Sequence, residues 1–217
     1  MTSRVRLKVC GITRVEDAEA AARAGADAIG FVFWTGSPRR IGIAEARAIA
    51  GRLPAFVARV GVFVNAAPAD VAAHVRDVGL TAVQLHGDER VEDYHAVAAP
   101  LVKAMAVATD ADVVSALGLP PEVTVLVDAV DAFRRGGTGQ LASWTRAASI
   151  ACRRPTILAG GLTAENIAAA IAAVQPWGVD VSSGVETAPG VKSAARIEQF
   201  AFALAAARQP SSGARTA

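Results

Sequence analysis

The chain has 217 residues, of which 53% are apolar and 19% are charged, and its formal net charge is +2 at pH 7. This composition is typical of a folded protein with a sizeable core and excludes an intrinsically disordered chain. The two cysteines, Cys10 and Cys152, form no CxxC motif and have no histidine close by in sequence, which argues against a disulfide framework or a zinc site.

Short β-branched runs alternate with alanine-rich helical patterns along the chain. The runs predict strands at 5–10, 28–33, 58–64, 82–86, 101–107, 123–128, 156–159 and 179–182. The helical patterns that follow them cover 15–23, 43–52, 68–78, 91–98, 110–117, 141–151, 164–174 and 193–207. Strands that alternate with helices pair in parallel through right-handed crossovers.

These repeated units predict an α/β fold, a single-domain (β/α)8 TIM barrel over residues 1–208. The alternative is a doubly wound open sheet, which usually has fewer strands and a GxGxxG first turn that this chain lacks. The tail at 209–217, QPSSGARTA, is polar and small, and we expect it to be disordered.

Polar and small residues follow the predicted strands, at the end where barrels of this class carry their active sites. In chain order these are Cys10, the loop WTGSPRRI with Arg39, Asn65, His86, Asp128, Gly160 and Gly161, and finally Ser182, Ser183 and Gly184. His86 is the histidine at a predicted strand end and is a candidate for ligand contact, whereas His74 and His95 lie on helical patterns and are expected to be solvated.

The last two turns predict a phosphate site. Gly160 and Gly161 follow the seventh predicted strand, and Ser183 and Gly184 follow the eighth. Small residues there allow backbone N–H groups to approach an anion, and loops seven and eight are a frequent phosphate site in barrels. The alternative is that these glycines only form tight turns. The presence of both loops in these two positions favours phosphate.

Cys10 and Asp128 end the first and sixth strands, on different sides of the rim, so a small substrate can lie between them. A thiol and a carboxyl group can share proton transfer if their pKa values differ, and the thiol pKa must then be lowered for base catalysis at neutral pH. The alternatives are a buried, small apolar Cys10 and an Asp128 that caps a loop.

Three charged residues, Lys8, Lys103 and Asp180, interrupt predicted strands. Lys8 and Cys10 are two positions apart and therefore share one face of their strand. We expect the three charges to form a paired ionic layer inside the barrel.

Nine motifs together resemble the phosphoribosylanthranilate isomerase family, (β/α)8 enzymes of tryptophan biosynthesis. In order they are KVCGIT, GADAIGFVF, SPRR, VGVFVN, VQLHGDE, VLVDA, GGTG, LAGGL and VDVSSGVE. The resemblance extends from about Lys8 to Phe200. KVCGIT combined with DVSSGVE is specific, whereas AGGL or GGTG alone is not.

The resemblance implies an Amadori rearrangement of N-(5-phosphoribosyl)anthranilate to 1-(2-carboxyphenylamino)-1-deoxyribulose 5-phosphate, without a metal or other cofactor. It implies that Cys10 is the general base and Asp128 the general acid. It also implies that Arg39 holds the anthranilate carboxylate and that Gly161, Ser183 and Gly184 bind the phosphate.

The chain departs from the family pattern after GGTG, where it has Gln140, Leu141, Ala142 and Ser143. Arg134 and Arg135 lie in a variable stretch and receive no role. Three alternatives stay open: a barrel of histidine synthesis, which would use an aspartate where Cys10 stands, another barrel isomerase or epimerase, and a barrel that binds a phosphometabolite without catalysis.

The charge pattern limits the partners. Lys and Arg are interspersed with acidic residues and form no stripe, so we expect no nucleic-acid partner. No run approaches the about 18 apolar residues of a membrane span, and MTSRVRLKVCG lacks the apolar stretch of a signal peptide. We expect a cytoplasmic protein that binds a small phosphosugar and is a monomer or a homodimer.

Overall fold

The computed structural model of the protein describes residues 4–128 and 139–207, and for residues 139–143 the backbone alone. Its centre is a closed barrel of eight parallel strands, in which β8 pairs with β1. The strands are β1 Arg6–Cys10, β2 Ala28–Val32, β3 Ala58–Phe63, β4 Ala82–Leu85, β5 Leu101–Ala106, β6 Thr124–Asp128, β7 Thr156–Ala159 and β8 Gly178–Val181. Each bound lies within one residue of its predicted position. The predicted (β/α)8 barrel is confirmed.

Helices surround the barrel. They are α1 Val15–Arg23, α2 Ile43–Ala50, α3 Pro68–Val78, α4 Asp110–Gly118, α5 Gly139–Ala151, α6 Ile167–Val174 and α7 Ala194–Ala207. A short antiparallel hairpin, β9 Glu186–Ala188 and β10 Val191–Lys192, follows β8. In the ranges that the structure describes, no helix has both the length and the hydrophobicity needed to cross a bilayer.

Several expectations lie outside the described residues. They concern the tail at 209–217, Arg134 and Arg135, and the side chains of Gln140, Leu141, Ala142 and Ser143.

The predicted helix at 91–98 is wrong. The structure has only a 3-10 turn there, Val91–Tyr94. The buried residues of this stretch, Val91, Tyr94 and Val97, recur every three positions, which is the period of a 3-10 helix and not of an α-helix. The Tyr94 hydroxyl also donates a hydrogen bond to the Ala66 carbonyl at 2.5 Å, which holds the turn against the loop after β3.

The predicted ionic layer is half right. Lys8 and Asp180 are both buried inside the barrel, with Lys8 Nζ 2.7 Å from Asp180 Oδ2. Lys103 does not join them. It alternates with Val102 and Ala104, which belong to an apolar cluster in the barrel interior, so the two-residue period of the strand turns Lys103 outward. Its ammonium pairs with Glu89 at 3.0 Å instead.

Arg154, between α5 and β7, fixes the connection from α4 to β6. Its Nη1 donates to the carbonyls of Ala116 and Leu119 at 2.7 and 3.0 Å. Its Nη2 donates to the carbonyls of Pro120 and Val123 at 2.8 and 2.5 Å. One guanidinium therefore binds four carbonyl groups, one in the last turn of α4 and three in the connection to β6.

We expect Arg154→Met to lower the free energy of unfolding by about 2–3 kcal/mol, because hydrogen bonds to a charged donor contribute about 1.5–3 kcal/mol each and water replaces part of the loss. Urea denaturation measures the change. Arg153→Met is the control: Arg153 is exposed, and its replacement should change stability by less than about 0.5 kcal/mol. Equal stability of the two variants would contradict the role of Arg154.

Candidate active site

The C-terminal ends of the strands gather the predicted site residues. Because the strands are parallel, these ends meet at one rim of the barrel. Cys10 ends β1 and Asp128 ends β6, while Arg39, His86, Gly160, Gly161, Ser183 and Gly184 lie in loops that follow β2, β4, β7 and β8. The rim order from β6 to β2 therefore places the two glycine-containing loops between Asp128 and Cys10.

Cys10 is buried beside Val32 and Val62. Its register partner on β2 is Gly30. A Cβ atom on Gly30 would lie 2.8 Å from Cys10 Sγ and 3.2 Å from Lys8 Cε. The thiol and the stem of Lys8 therefore share the space that the missing side chain of Gly30 leaves open.

The electrostatic surroundings of Cys10 oppose its ionisation. Burial raises the pKa of the Cys10 thiol, and the Lys8 ammonium opposes this shift without reversing it. Burial likewise lowers the pKa of Lys8, but Asp180 and Cys10 together raise it by more, so Lys8 stays charged. A base at neutral pH would need a lowered thiol pKa, whereas burial of the sulfur raises the pKa of Cys10.

Asp128 and His86 lie together at a cavity of about 410 Å³. His86 Nε2 is 3.6 Å from Asp128 Oδ2. The amide nitrogen of Gln84 lies 2.8 Å from His86 Nδ1. His86 therefore turns Nδ1 toward Gln84 and Nε2 toward Asp128. The cavity wall also contains Gly87, Asp88 and Met105, and it does not include Cys10.

The loop that carries His86 is fixed by Glu89. This carboxylate accepts hydrogen bonds from the backbone N–H groups of Asn65 and Gly87 at 2.6 and 2.7 Å. Lys103 adds a third contact at 3.0 Å. Burial raises the pKa of Glu89, but these hydrogen bonds lower it by more, so the group is ionised at neutral pH. The backbone beside His86 is therefore held in place by the contacts of Glu89.

Arg39 is paired with a residue that the sequence analysis missed. Its Nε and Nη2 donate to the two carboxylate oxygens of Glu186 at 2.9 and 2.7 Å. Lys192 Nζ donates to the same carboxylate at 2.7 Å. Glu186 is the last residue of the motif VDVSSGVE, and this position could have marked it as a site residue. Nothing in the sequence distinguishes Lys192.

The loops after β7 and β8 form a compact backbone cradle. Gly160 and Gly161 have φ values of +92° and +61°, a region that favours glycine. A Cβ atom on Gly184 would lie 2.0 Å from the Leu162 carbonyl oxygen, so the two loops touch only because Gly184 has no side chain. Ser183 begins a 3-10 turn, whose first N–H groups have no partner within the turn. These donors suit an anion.

The rim thus contains three connected groups: His86 with Asp128, Cys10 with Lys8 and Asp180, and Arg39 with Glu186 and Lys192. Asp180 lies close enough to Lys8, His86 and Asp128 to interact with all three electrostatically. Among the described residues, no cluster of three or more His, Cys, Asp or Glu side chains could hold a metal ion.

His95 is exposed as expected, whereas His74 packs edge-on against Phe33 and Phe63, contrary to expectation.

Comparison with known proteins assigns the family. The family model described as N-(5'-phosphoribosyl)anthranilate (PRA) isomerase matches residues 7–202. The chain belongs to this family. A relative named N-(5'-phosphoribosyl)anthranilate isomerase from Pseudomonas putida is 46% identical over 93% of this chain and 98% of its own length. One from Pseudomonas paraeruginosa is 45% identical over 92% and 95% of the two chains.

Solved structures of phosphoribosylanthranilate isomerases agree with the assignment. The enzyme from Thermotoga maritima has a TM-score of 0.85 at 41% identity, over 93% of this chain and 99% of its own. Another, with TM-score 0.83 at 40% identity and the same coverage, is a complex with reduced 1-(o-carboxyphenylamino)-1-deoxyribulose 5-phosphate. The resemblance carried by KVCGIT and DVSSGVE is confirmed, and with it the prediction of an isomerase of tryptophan biosynthesis.

Alkylation of Cys10 tests the electrostatic description. In a Cys152→Ser background, the rate of modification by iodoacetamide should rise with pH and have its midpoint above about 8.5, the ordinary thiol value, because burial keeps the sulfur protonated. Lys8→Met should move the midpoint still higher, since it removes the cation that favours the thiolate. Mass spectrometry of the Cys10 peptide gives both midpoints.

Lys103→Met provides the control for loss of a buried lysine that faces away from Cys10. It should leave the alkylation midpoint of Cys10 unchanged. A midpoint at or below the ordinary value, or one that Lys8→Met does not move, would show that the environment of the sulfur is different from the one described.

Proposed function

We propose that the chain converts N-(5-phosphoribosyl)anthranilate to 1-(2-carboxyphenylamino)-1-deoxyribulose 5-phosphate, with Cys10 as general base and Asp128 as general acid. The observation that carries the proposal is the rim order. Asp128 on β6 and Cys10 on β1 flank the two anion-binding loops, and Arg39 lies beyond Cys10. The substrate has the matching features, a phosphate at one end, a carboxylate at the other and a sugar between.

The reaction moves protons and leaves the oxidation state of the whole molecule unchanged, so it requires no redox cofactor. Asp128 protonates the ribose ring oxygen as its bond to C1′ breaks, which opens the ring to a Schiff base. The Cys10 thiolate then takes the proton from C2′, and the resulting enolamine tautomerises to the ketone. The two proton transfers need two groups in opposite protonation states.

The neighbours of each group support these roles. His86 Nε2 lies 3.6 Å from Asp128 Oδ2, so the imidazole is adjacent to the proposed general acid. Lys8 supplies the positive charge that compensates the thiolate when it forms. Asp180 holds Lys8 in place at 2.7 Å. The backbone cradle formed by Gly160, Gly161, Ser183 and Gly184 is proposed to bind the phosphate.

We expect Cys10→Ala and Asp128→Asn each to lower kcat by at least about 10²-fold, the usual contribution of a general acid or base. Neither variant should restore tryptophan-free growth to a bacterial strain that lacks the isomerase, whereas the wild-type chain should. Cys152→Ser is the matched control for loss of a thiol and should retain activity.

Unchanged turnover in either variant would remove the proposed proton-transfer pair. Turnover of the aminoaldose of histidine synthesis would instead favour the related barrel enzyme. If the chain bound the substrate without converting it, the result would favour a barrel that binds a phosphometabolite without catalysis.

For the assembly, predicted as monomer or homodimer, we propose a homodimer formed through the N-terminal end of the barrel. A cavity of about 370 Å³ opens there, lined in part by the small residues Ala28, Ala58 and Ala82. Phe56 stands at the same cavity and is fully exposed. A solved structure with 38% identity and a TM-score of 0.77 is of monomers generated from the dimeric phosphoribosylanthranilate isomerase of Thermotoga maritima.

A twofold axis through this face would allow Phe56 of each copy to enter the cavity of the other, since one surface then offers both the projection and the recess. The buried aromatic ring would supply much of the apolar area. The cytoplasmic location and the absence of a nucleic-acid partner stay predictions.

Sedimentation velocity tests the assembly. The wild-type chain should sediment with about twice the mass of one 22.2 kDa chain, and Phe56→Asp should sediment as a monomer, because a carboxylate cannot enter an apolar cavity unpaired. Phe202→Asp, which changes another exposed phenylalanine on α7, should remain dimeric. A monomeric wild-type chain would refute the proposed interface.

A further inference from the structure

Arg39 has two edges, and Glu186 occupies one of them. A guanidinium carries five N–H donors in one plane. The edge formed by Nε and Nη2 is bound to the two oxygens of Glu186. Within the described part of the chain, no acceptor lies within hydrogen-bonding distance of Nη1. The edge formed by Nη1 and the second N–H of Nη2 therefore remains available to another planar carboxylate.

Glu186 is itself held from several sides. Its Oε1 accepts hydrogen bonds from Lys192 Nζ at 2.7 Å and from the Gly190 N–H at 3.2 Å, besides the one from Arg39. The Lys192 side chain has no exposed surface, and its Nζ also contacts the Ser182 carbonyl at 3.2 Å. The carboxylate therefore cannot swing away with Arg39.

The stem of Arg39 is fixed as well. It crosses directly over Gly11, the residue after Cys10, where a Cβ atom would lie 2.6 Å from Arg39 Cδ. The Ser37 hydroxyl oxygen accepts a hydrogen bond from the Arg39 backbone N–H at 3.1 Å. Arg39 thus approaches Cys10 along a path that both its backbone and its guanidinium determine.

Two basic side chains, Arg39 and Lys192, share one carboxylate. Burial lowers the pKa of Lys192, and its hydrogen bond to Glu186 opposes that shift without reversing it. Burial raises the pKa of Glu186, but the hydrogen bonds from Arg39 and Lys192 lower it by more, and the carboxylate stays ionised. Glu186 therefore orients Arg39 as an ionised partner.

We infer that Glu186, held by Lys192, is a positioning residue that directs the outer edge of Arg39 at the substrate carboxylate. The inference rests on the proposed function, because it takes the anthranilate carboxylate as the ligand of Arg39. The opposite possibility is that Glu186 competes with the substrate for Arg39, in which case its removal would tighten binding.

Calorimetric binding of two ligands separates these possibilities. The first ligand is reduced 1-(o-carboxyphenylamino)-1-deoxyribulose 5-phosphate, an analogue of the product. The second ligand is the same molecule without the carboxylate on the aromatic ring. The ratio of their Kd values, called here the carboxylate ratio, measures the contribution of that group alone. It is determined for the wild-type chain, Arg39→Ala, Glu186→Gln, the double variant and Arg40→Ala, a control that removes the exposed neighbouring arginine.

Arg39→Ala should bring the carboxylate ratio close to one. Glu186→Gln should lower the ratio at least about fivefold, since the uncharged amide orients the guanidinium poorly, and should leave the Kd of the carboxylate-free ligand within about twofold. The double variant should match Arg39→Ala, because Glu186 acts through Arg39. In turnover, Glu186→Gln should raise KM more than it lowers kcat, and Arg40→Ala should behave as the wild type.

An unchanged or larger ratio in Glu186→Gln, with a lost ratio in Arg39→Ala, would overturn the inference and leave the proposed function intact. If Glu186→Gln weakened the binding of both ligands equally, the inference would also be overturned, because equal weakening indicates general damage to the loop. A wild-type ratio in Arg39→Ala would instead refute the role of Arg39 in the proposed function.

Glu186→Asp keeps the experiment decisive if Glu186→Gln does not fold. The side chain of aspartate retains the charge but is one methylene shorter and does not reach Arg39 as closely, so the carboxylate ratio should fall between those of the wild type and Arg39→Ala. A wild-type ratio in Glu186→Asp would count against the inference.

Discussion

A charge that leaves water needs a partner, and this requirement organises the active end of the barrel. The chain has three lysines, and each is buried against a carboxylate: Lys8 with Asp180, Lys103 with Glu89, and Lys192 with Glu186. None of the three is an ordinary solvated surface charge. Each pair joins segments distant in sequence or fixes a loop beside the site.

The three pairs act at different places. Lys8 and Asp180 join β1 to β8 beneath Cys10. Lys103 and Glu89 hold the loop that presents His86. Lys192 and Glu186 fix the hairpin after β8 against the loop that carries Arg39. The polar groups at this rim are therefore held in fixed orientations, which is the condition under which electrostatic catalysis is effective.

Glycines at three positions give the site the space that its functional groups need. Gly30 leaves room for the thiol and for Lys8, Gly11 leaves room for Arg39, and Gly184 lets the loops after β7 and β8 touch. In each case the nearest neighbouring atom would lie within 3.0 Å of an added Cβ atom. Glycine therefore allows functional groups to approach closely at positions where neighbouring backbone segments already lie side by side.

Much of this could be predicted from the sequence, because it depends on local patterns. Strand bounds follow from runs of β-branched residues, and the strand-end positions of Cys10, Asp128 and His86 follow from those bounds. The tertiary structure decided the rest. Arg39 and Glu186 are 147 positions apart, and Lys8 and Asp180 are 172 apart, so their pairing exists only after the barrel closes. The direction of the Cys10 pKa shift likewise depends on burial. The strand period separates Lys103 from Val102 and Ala104, but only the packed barrel decides which of the two faces of β5 turns inward.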